Sequence, residues 1–188
     1  METLKTIVER RSIRKFNNKD VPRDKIKELL ELAIKAPSGK NRQPWRFVIL
    51  KDKSKNKLKK IMIQKTKYNQ KKQIDIGSSE ISTRVVSEAP VVVLVFNSFS
   101  KVEENYTHNR LLVDIQSIGA AIQTLVLASQ DMGLATLWIC DILYSKNEIS
   151  SWLNTKDELV AAVAIGHTDQ SPFPRPRKNL EDIVDWLE

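Results

Sequence analysis

Arg10-Arg11-Ser12-Ile13-Arg14-Lys15-Phe16 concentrates four cations and a hydroxyl in six consecutive positions. Guanidinium forks suit bidentate contact with phosphate oxygens, and a serine hydroxyl adds a neutral donor. A second basic set, Arg175, Arg177 and Lys178, stands near the other end of the chain among Pro172, Pro174 and Pro176. Brought together, the two sets could enclose one phosphate; taken singly, each reads equally as solvated surface charge. A third segment, Ala36 to Trp45, carries Pro37, Ser38, Gly39, Asn41 and Gln43. Its alternating donors and acceptors, on a loop stiffened by Pro37 and Pro44, could read the edge of a planar polar heterocycle. A turn leading into a strand is the plainer reading.

Other chemistries lack their residues. The two histidines, His108 and His167, are far apart and in no metal-ligand spacing, and the one cysteine, Cys140, allows neither a disulfide nor a multi-cysteine metal site. Placed between Ile139 and Asp141, Cys140 is more readily a small hydrophobe than a nucleophile. There is no G-x-S-x-G, no phosphate-binding glycine loop and no dinucleotide fingerprint among five glycines. If the chain is an enzyme, a bound cofactor must carry the reaction.

The elements that must position these residues follow from periodicity. The 188 residues are 41% hydrophobic and 29% charged, as for a globular protein, and residues 1–188 read as one domain. Short helical spacing covers 3–9, and a stronger amphipathic helix runs from about 23 to 36. A buried strand is expected at 47–50, a lysine-rich helix at 54–72, a flexible connection at 73–79, and a helix up to Ala89. Val91 to Phe96 reads as a central strand. A long apolar helix over 109–132 ends at Gly133, followed by a strand at 134–139, a helix at 146–153 and a strand at 159–165. The proline-rich stretch must be an extended arm before a last amphipathic turn, and such an arm favours reaching a partner subunit. Few, separated strands among many helices imply an α+β sandwich.

Leu111 to Ser129 comes close to a membrane-spanning length, but Asp114 within it would cost about 3 kcal/mol in a bilayer. A core or interface helix is therefore expected, with no membrane partner. The charged start METLKTIVERRS lacks an apolar leader, and a cytoplasmic setting is the default expectation. The net charge of +8 traces to residues 51–72, which hold ten lysines and one aspartate, leaving the rest nearly balanced. Without arginine or a stacking platform, this run reads as a solvated helical face; a basic nucleic-acid-binding or adaptor surface is the alternative.

Taken together, these segments resemble the nitroreductase family of flavin enzymes. Arg10 to Phe16 meets the family's R-R-S-x-R-x-F opening, and Ala36 to Phe47 meets A-P-S-x-x-N-x-Q-P-W-x-F. Ala89 to Val93 meets A-P-V-V-V; Asp114 to Leu125 and Gly133 to Ile139 meet the long helix and following strand; Pro176 to Glu181 meets P-R-x-x-L-E. The resemblance implies a central, mostly antiparallel sheet flanked by helices, an intertwined homodimer with exchanged C-terminal arms, and tightly bound FMN at the subunit interface. It further implies that Arg10, Arg11, Ser12, Arg14, Arg175 and Arg177 hold the phosphate, ribityl chain and pyrimidine edge. Pro37, Ser38, Gly39, Asn41 and Gln43 would come from the other subunit to the ring. Trp138, Ile139 and Cys140 would lie beside it, with Arg84 on the pyrimidine side. NAD(P)H would be the electron donor and a small oxidised molecule, such as a nitroaromatic or quinone, the acceptor. The family also includes dehalogenating and flavin-consuming branches, and Cys140, Asp141 and His167 depart from its commonest pattern.

Overall fold

The computed structural model describes residues 3–187, so Met1, Glu2 and Glu188 of the expected 1–188 domain lie outside the described residues. The core is one antiparallel sheet. Its strands are β1 (Trp45–Leu50), β2 (Val91–Asn97), β3 (Ala135–Ile139) and β4 (Glu158–Gly166), in the order β1-β2-β4-β3. Every residue of β2 is buried, because side chains on both of its faces are covered by helices. Leu94 and Phe96 face α3 (Asp52–Lys71), α4 (Ser79–Glu88) and α6 (Lys146–Leu153), while Val93 and Val95 face α2 (Arg23–Ala33) and α5 (His108–Asp131). Fully burying such a side chain contributes about 1.5–3 kcal/mol, so this layered arrangement follows from the continuous apolar run. It is the α+β sandwich expected from the pattern.

The outer edge of β3 is extended by the chain after α1 (Thr3–Glu9). Ser12 forms a parallel bridge with Thr136, and the Ile13 amide donates to the Thr136 carbonyl at 2.9 Å. The residues beyond β4 close the other side of that segment: the Asn17 amide donates to the His167 carbonyl at 3.0 Å, and the Arg14 amide to Gln170 Oε1 at 3.1 Å.

Several expectations shift. β1 starts two residues earlier than the apolar run, since Trp45 and Arg46 complete its pairing with Asn97 and Phe96. The 73–79 connection is a pinned turn, in which Tyr144 Oη donates to Asp75 Oδ2 at 2.5 Å and the Gly77 amide to Asp75 Oδ1 at 3.0 Å. The last turn is a 3₁₀ turn at Leu180–Asp182. Among the described residues α5 alone is long and apolar enough to cross a membrane; it packs along the sheet with Ile118, Ile122 and Leu125 fully buried. It ends where Gly133 takes a φ of +71°, the left-handed conformation that glycine adopts without penalty. Leu112 and Val113, near its start, remain 46% and 41% exposed.

Candidate functional site

The two ends of the chain do meet. Arg10, Arg11, Ser12 and Arg14 line a cleft of about 710 Å³ together with Arg175 and Arg177, and with Ile7, Val8 and the Pro172–Pro174 stretch of the arm. No carboxylate among the described residues pairs with Arg10, Arg14, Arg175 or Arg177. Arg11 has a local task as well: its Nη1 donates to the Val8 and Arg10 carbonyls at 2.7 and 2.9 Å, satisfying the C-terminal end of α1. Arg177 Nη1 donates to the carbonyls of Arg175 and Pro176, both at 3.2 Å, which leaves most of its five donors unused. A cleft with several guanidinium groups and no pairing carboxylate among the described residues fits a phosphate-bearing ligand. Pro172–Pro174, Arg175 and Arg177 of the arm border the same cleft as the Arg10–Arg14 segment of their own chain; Leu180, Ile183, Trp186 and Leu187 stay exposed beyond it.

The third segment stands elsewhere. The loop 37–43 precedes β1, at the opposite edge of the sheet, and none of its residues lines the arginine cleft. Ser12 lies in the row of Thr136, Ile165 and Val91, whereas Trp45 lies in the row of Asn97 and Glu158. Four strand spacings and six residues separate them, roughly 28 Å. Pro37, Asn41 and Gln43 are exposed, while Ser38 and Gly39 are half-buried. Lys40, Asn41 and Gln43 all have left-handed backbones, with φ of 52°, 53° and 50°. Such strain in non-glycine residues persists only where the surroundings enforce it.

Arg42 is what the sequence reading passed over. Its guanidinium takes Asp114 bidentately, Nε to Oδ1 at 3.1 Å and Nη2 to Oδ2 at 3.2 Å, and reaches Glu103 Oε2 at 2.5 Å. The two carboxylates raise the Arg42 pKa, and Arg42 in turn holds the Glu103 carboxyl below its ordinary range. The signal was available only as an Asp in the middle of an apolar helix.

The β3 end contributes unevenly. The Trp138 ring lies along α5 at Gly119 and is 37% exposed. Ile139 is 2% exposed, buried in the core, and so offers no side chain to a ligand. Cys140 is exposed, and its thiol pKa is raised by burial and by Asp141. Arg84 sits on α4, where its guanidinium pairs with Glu88 at 3.8 Å, and it is not among the residues that line the cleft.

The lysine run is also more engaged than a purely solvated face. Lys55 donates to the Ala89 carbonyl, Lys59 to Ser87 at 3.0 Å and Lys65 to Glu148 at 2.8 Å. Lys53, Lys57, Lys60, Lys67 and Lys71 form the exposed row, at successive spacings of four, three, seven and four.

A model of the nitroreductase family matches residues 7–167. The chain is 27% identical over 185 residues to an iodotyrosine deiodinase of Thermotoga neapolitana, covering 93% of this chain and 91% of that protein. It is 29% identical over 137 residues to iodotyrosine deiodinase 1 of Homo sapiens, covering 68% of this chain and about half, 47%, of the human protein. Among solved structures, a Desulfovibrio desulfuricans protein assigned as a nitroreductase, in complex with FMN, superposes with a TM-score of 0.77 at 27% identity, covering 100% and 98% of the two chains.

Proposed function

The chain belongs to the nitroreductase family, and from that premise we propose that it is an FMN-dependent oxidoreductase, using NAD(P)H to reduce a small oxidised acceptor such as a nitroaromatic or a quinone. The observation that carries this reading is the cleft lined by the guanidinium groups of Arg10, Arg14, Arg175 and Arg177, which pair with no carboxylate among the described residues. Arg10 and the two arm arginines would bind the phosphate, Ser12 the ribityl chain, and Arg14 the pyrimidine edge, where a cation favours negative charge on the reduced ring. Bound FMN would supply the hydride chemistry that these side chains lack. Hydride transfer needs no nucleophile, and burial and Asp141 raise the Cys140 thiol pKa, which disfavours the thiolate that such a role would require.

The ring-side loop supports a homodimer. With Ser38, Asn41 and Gln43 at the far edge of the sheet from Ser12, one chain cannot offer both to one mononucleotide, so the second copy supplies the loop. The exposed apolar side chains Leu4, Val8, Leu112 and Val113 would be covered in the same association. The test is flavin content against assembly state in sedimentation: a yellow dimer that loses FMN as it dissociates is expected, and a yellow, active monomer overturns the shared site.

The deiodinase similarities, one spanning nearly the whole Thermotoga protein, favour a second reading, reductive dehalogenation of a halogenated phenol. Halide release, measured beside quinone and nitroaromatic consumption under the same reductant, separates the two.

A further inference from the structure

The loop 38–43 is held by a carboxylate more than 70 positions away. Asp114 is fully buried on α5. Its oxygens accept both Arg42 nitrogens and the Tyr106 hydroxyl, the last at 2.8 Å. Asn97 Nδ2 donates to that hydroxyl at 2.8 Å, and burial pushes the Tyr106 pKa up to about 12, so the phenol keeps the proton that it donates. Arg42 also stacks over Phe99, 4.8 Å from the ring centroid, and shares Glu103 with Arg110.

The rest of the loop is shaped around this anchor. Arg42 has a right-handed backbone, with φ of −69°, between left-handed Asn41 and Gln43. Ser38 Oγ accepts the Gln43 amide at 3.0 Å, and the Gly39 amide donates to Ser117 Oγ at 3.2 Å. A Cβ at Gly39 would collide with Val113, so α5 presses directly against the turn. The outcome is a rigid loop with Asn41 and Gln43 exposed and no hydrogen bond to the Asn41 side chain among the described residues. A fixed backbone with exposed recognition groups is the arrangement that lowers the ordering cost of binding.

We infer that Asp114, acting through Arg42 and supported by Tyr106, is a positioning residue that presets the 38–43 loop for the flavin ring. The anchor acts on the ring end of the ligand and leaves the phosphate end alone. This inference rests on the functional reading above, and the test keeps the two apart.

Wild-type apoprotein, Tyr106→Phe and Asp114→Asn are titrated with FMN and with riboflavin, which lacks the phosphate. Flavin fluorescence gives the affinities, visible circular dichroism reports the bound ring, and thermal melts report the fold. Tyr106→Phe should weaken both ligands by the same factor, about tenfold, and Asp114→Asn by about 100-fold, with an altered ring dichroism. The ratio of FMN to riboflavin affinity should stay at its wild-type value. If Asp114→Asn does not fold, Tyr106→Phe decides, because it leaves the ion pair in place. Folded variants with wild-type affinity and dichroism overturn the inference, as does a fall in the ratio, which would place the effect at the phosphate. Wild-type protein that binds neither flavin overturns the functional reading, and this inference with it.

Discussion

Two sets of arginines in this protein share a side-chain type and little else. Arg42 is surrounded by Asp114, Glu103 and the Phe99 ring, with its charge neutralised and its geometry set. Arg10, Arg14, Arg175 and Arg177 line a cleft with no carboxylate among the described residues. Like charges gathered without counter-ions do not help a fold, and sites where a chain departs from its own folding rules are where function is expected. Arginine becomes structural where tertiary packing delivers a carboxylate to it and becomes available to a ligand where packing does not.

Breaking the unpaired set should have the largest effect on binding. Arg10→Ala with Arg14→Ala removes two charge-assisted contacts worth about 2 kcal/mol each, so FMN affinity measured by titration should fall by roughly a thousandfold. Melting of the flavin-free protein should move little. Lost folding with flavin still bound would reverse the two roles.

Breaking the paired set should act on the fold. Arg42→Ala leaves Asp114 buried without its cation and should cost about 3 kcal/mol, a fall in melting temperature of roughly 6–12 °C. It should also change the acid limb. Arg42 holds Glu103 below its ordinary value of 4.5, so the stability from that pair is present above this pH and is lost as the pH falls below it. Melts between about pH 3 and 5 should therefore show a shallower acid loss in Arg42→Ala than in the wild type.

The lysine helix sharpens the comparison within one element. Lys55, whose ammonium is partly desolvated against the Ala89 carbonyl, has a lowered pKa, and Lys55→Gln should cost about 1 kcal/mol in denaturant unfolding. Replacing Lys53, Lys57 and Lys60 together should change stability by less than about 0.5 kcal/mol and leave acceptor reduction intact. Salt-sensitive affinity for DNA or RNA, lost in that triple variant, would instead favour the nucleic-acid reading of this face.

The smallest effect is expected at Cys140. Cys140→Ala should keep most NAD(P)H-dependent quinone reduction, because a neutral thiol is not required for hydride transfer. A loss of several orders of magnitude with flavin bound would assign it a role that the present reading denies.

How far the sequence alone carries depends on the range of each interaction. Local and periodic signals were legible: the apolar run 91–96 could only be a buried strand, Gly133 could only end its helix economically, and the basic and polar segments at 10–16 and 37–43 announced themselves by type and order. Their relative placement was not legible. Which arginines find carboxylates depends on Asp114 and Glu103 arriving from α5 and the loop before it, and that Arg84 does not line the cleft depends on where α4 is placed in the fold. The inward turn of Ile139 follows from its pairing opposite Ala162 in β4. Residue type and periodicity determined which groups this protein has for binding an anion and a planar ring. Packing across the sheet decided which of those cations remain free, because a charge is neutralised by whatever the fold brings within a few ångströms and not by its neighbours along the chain.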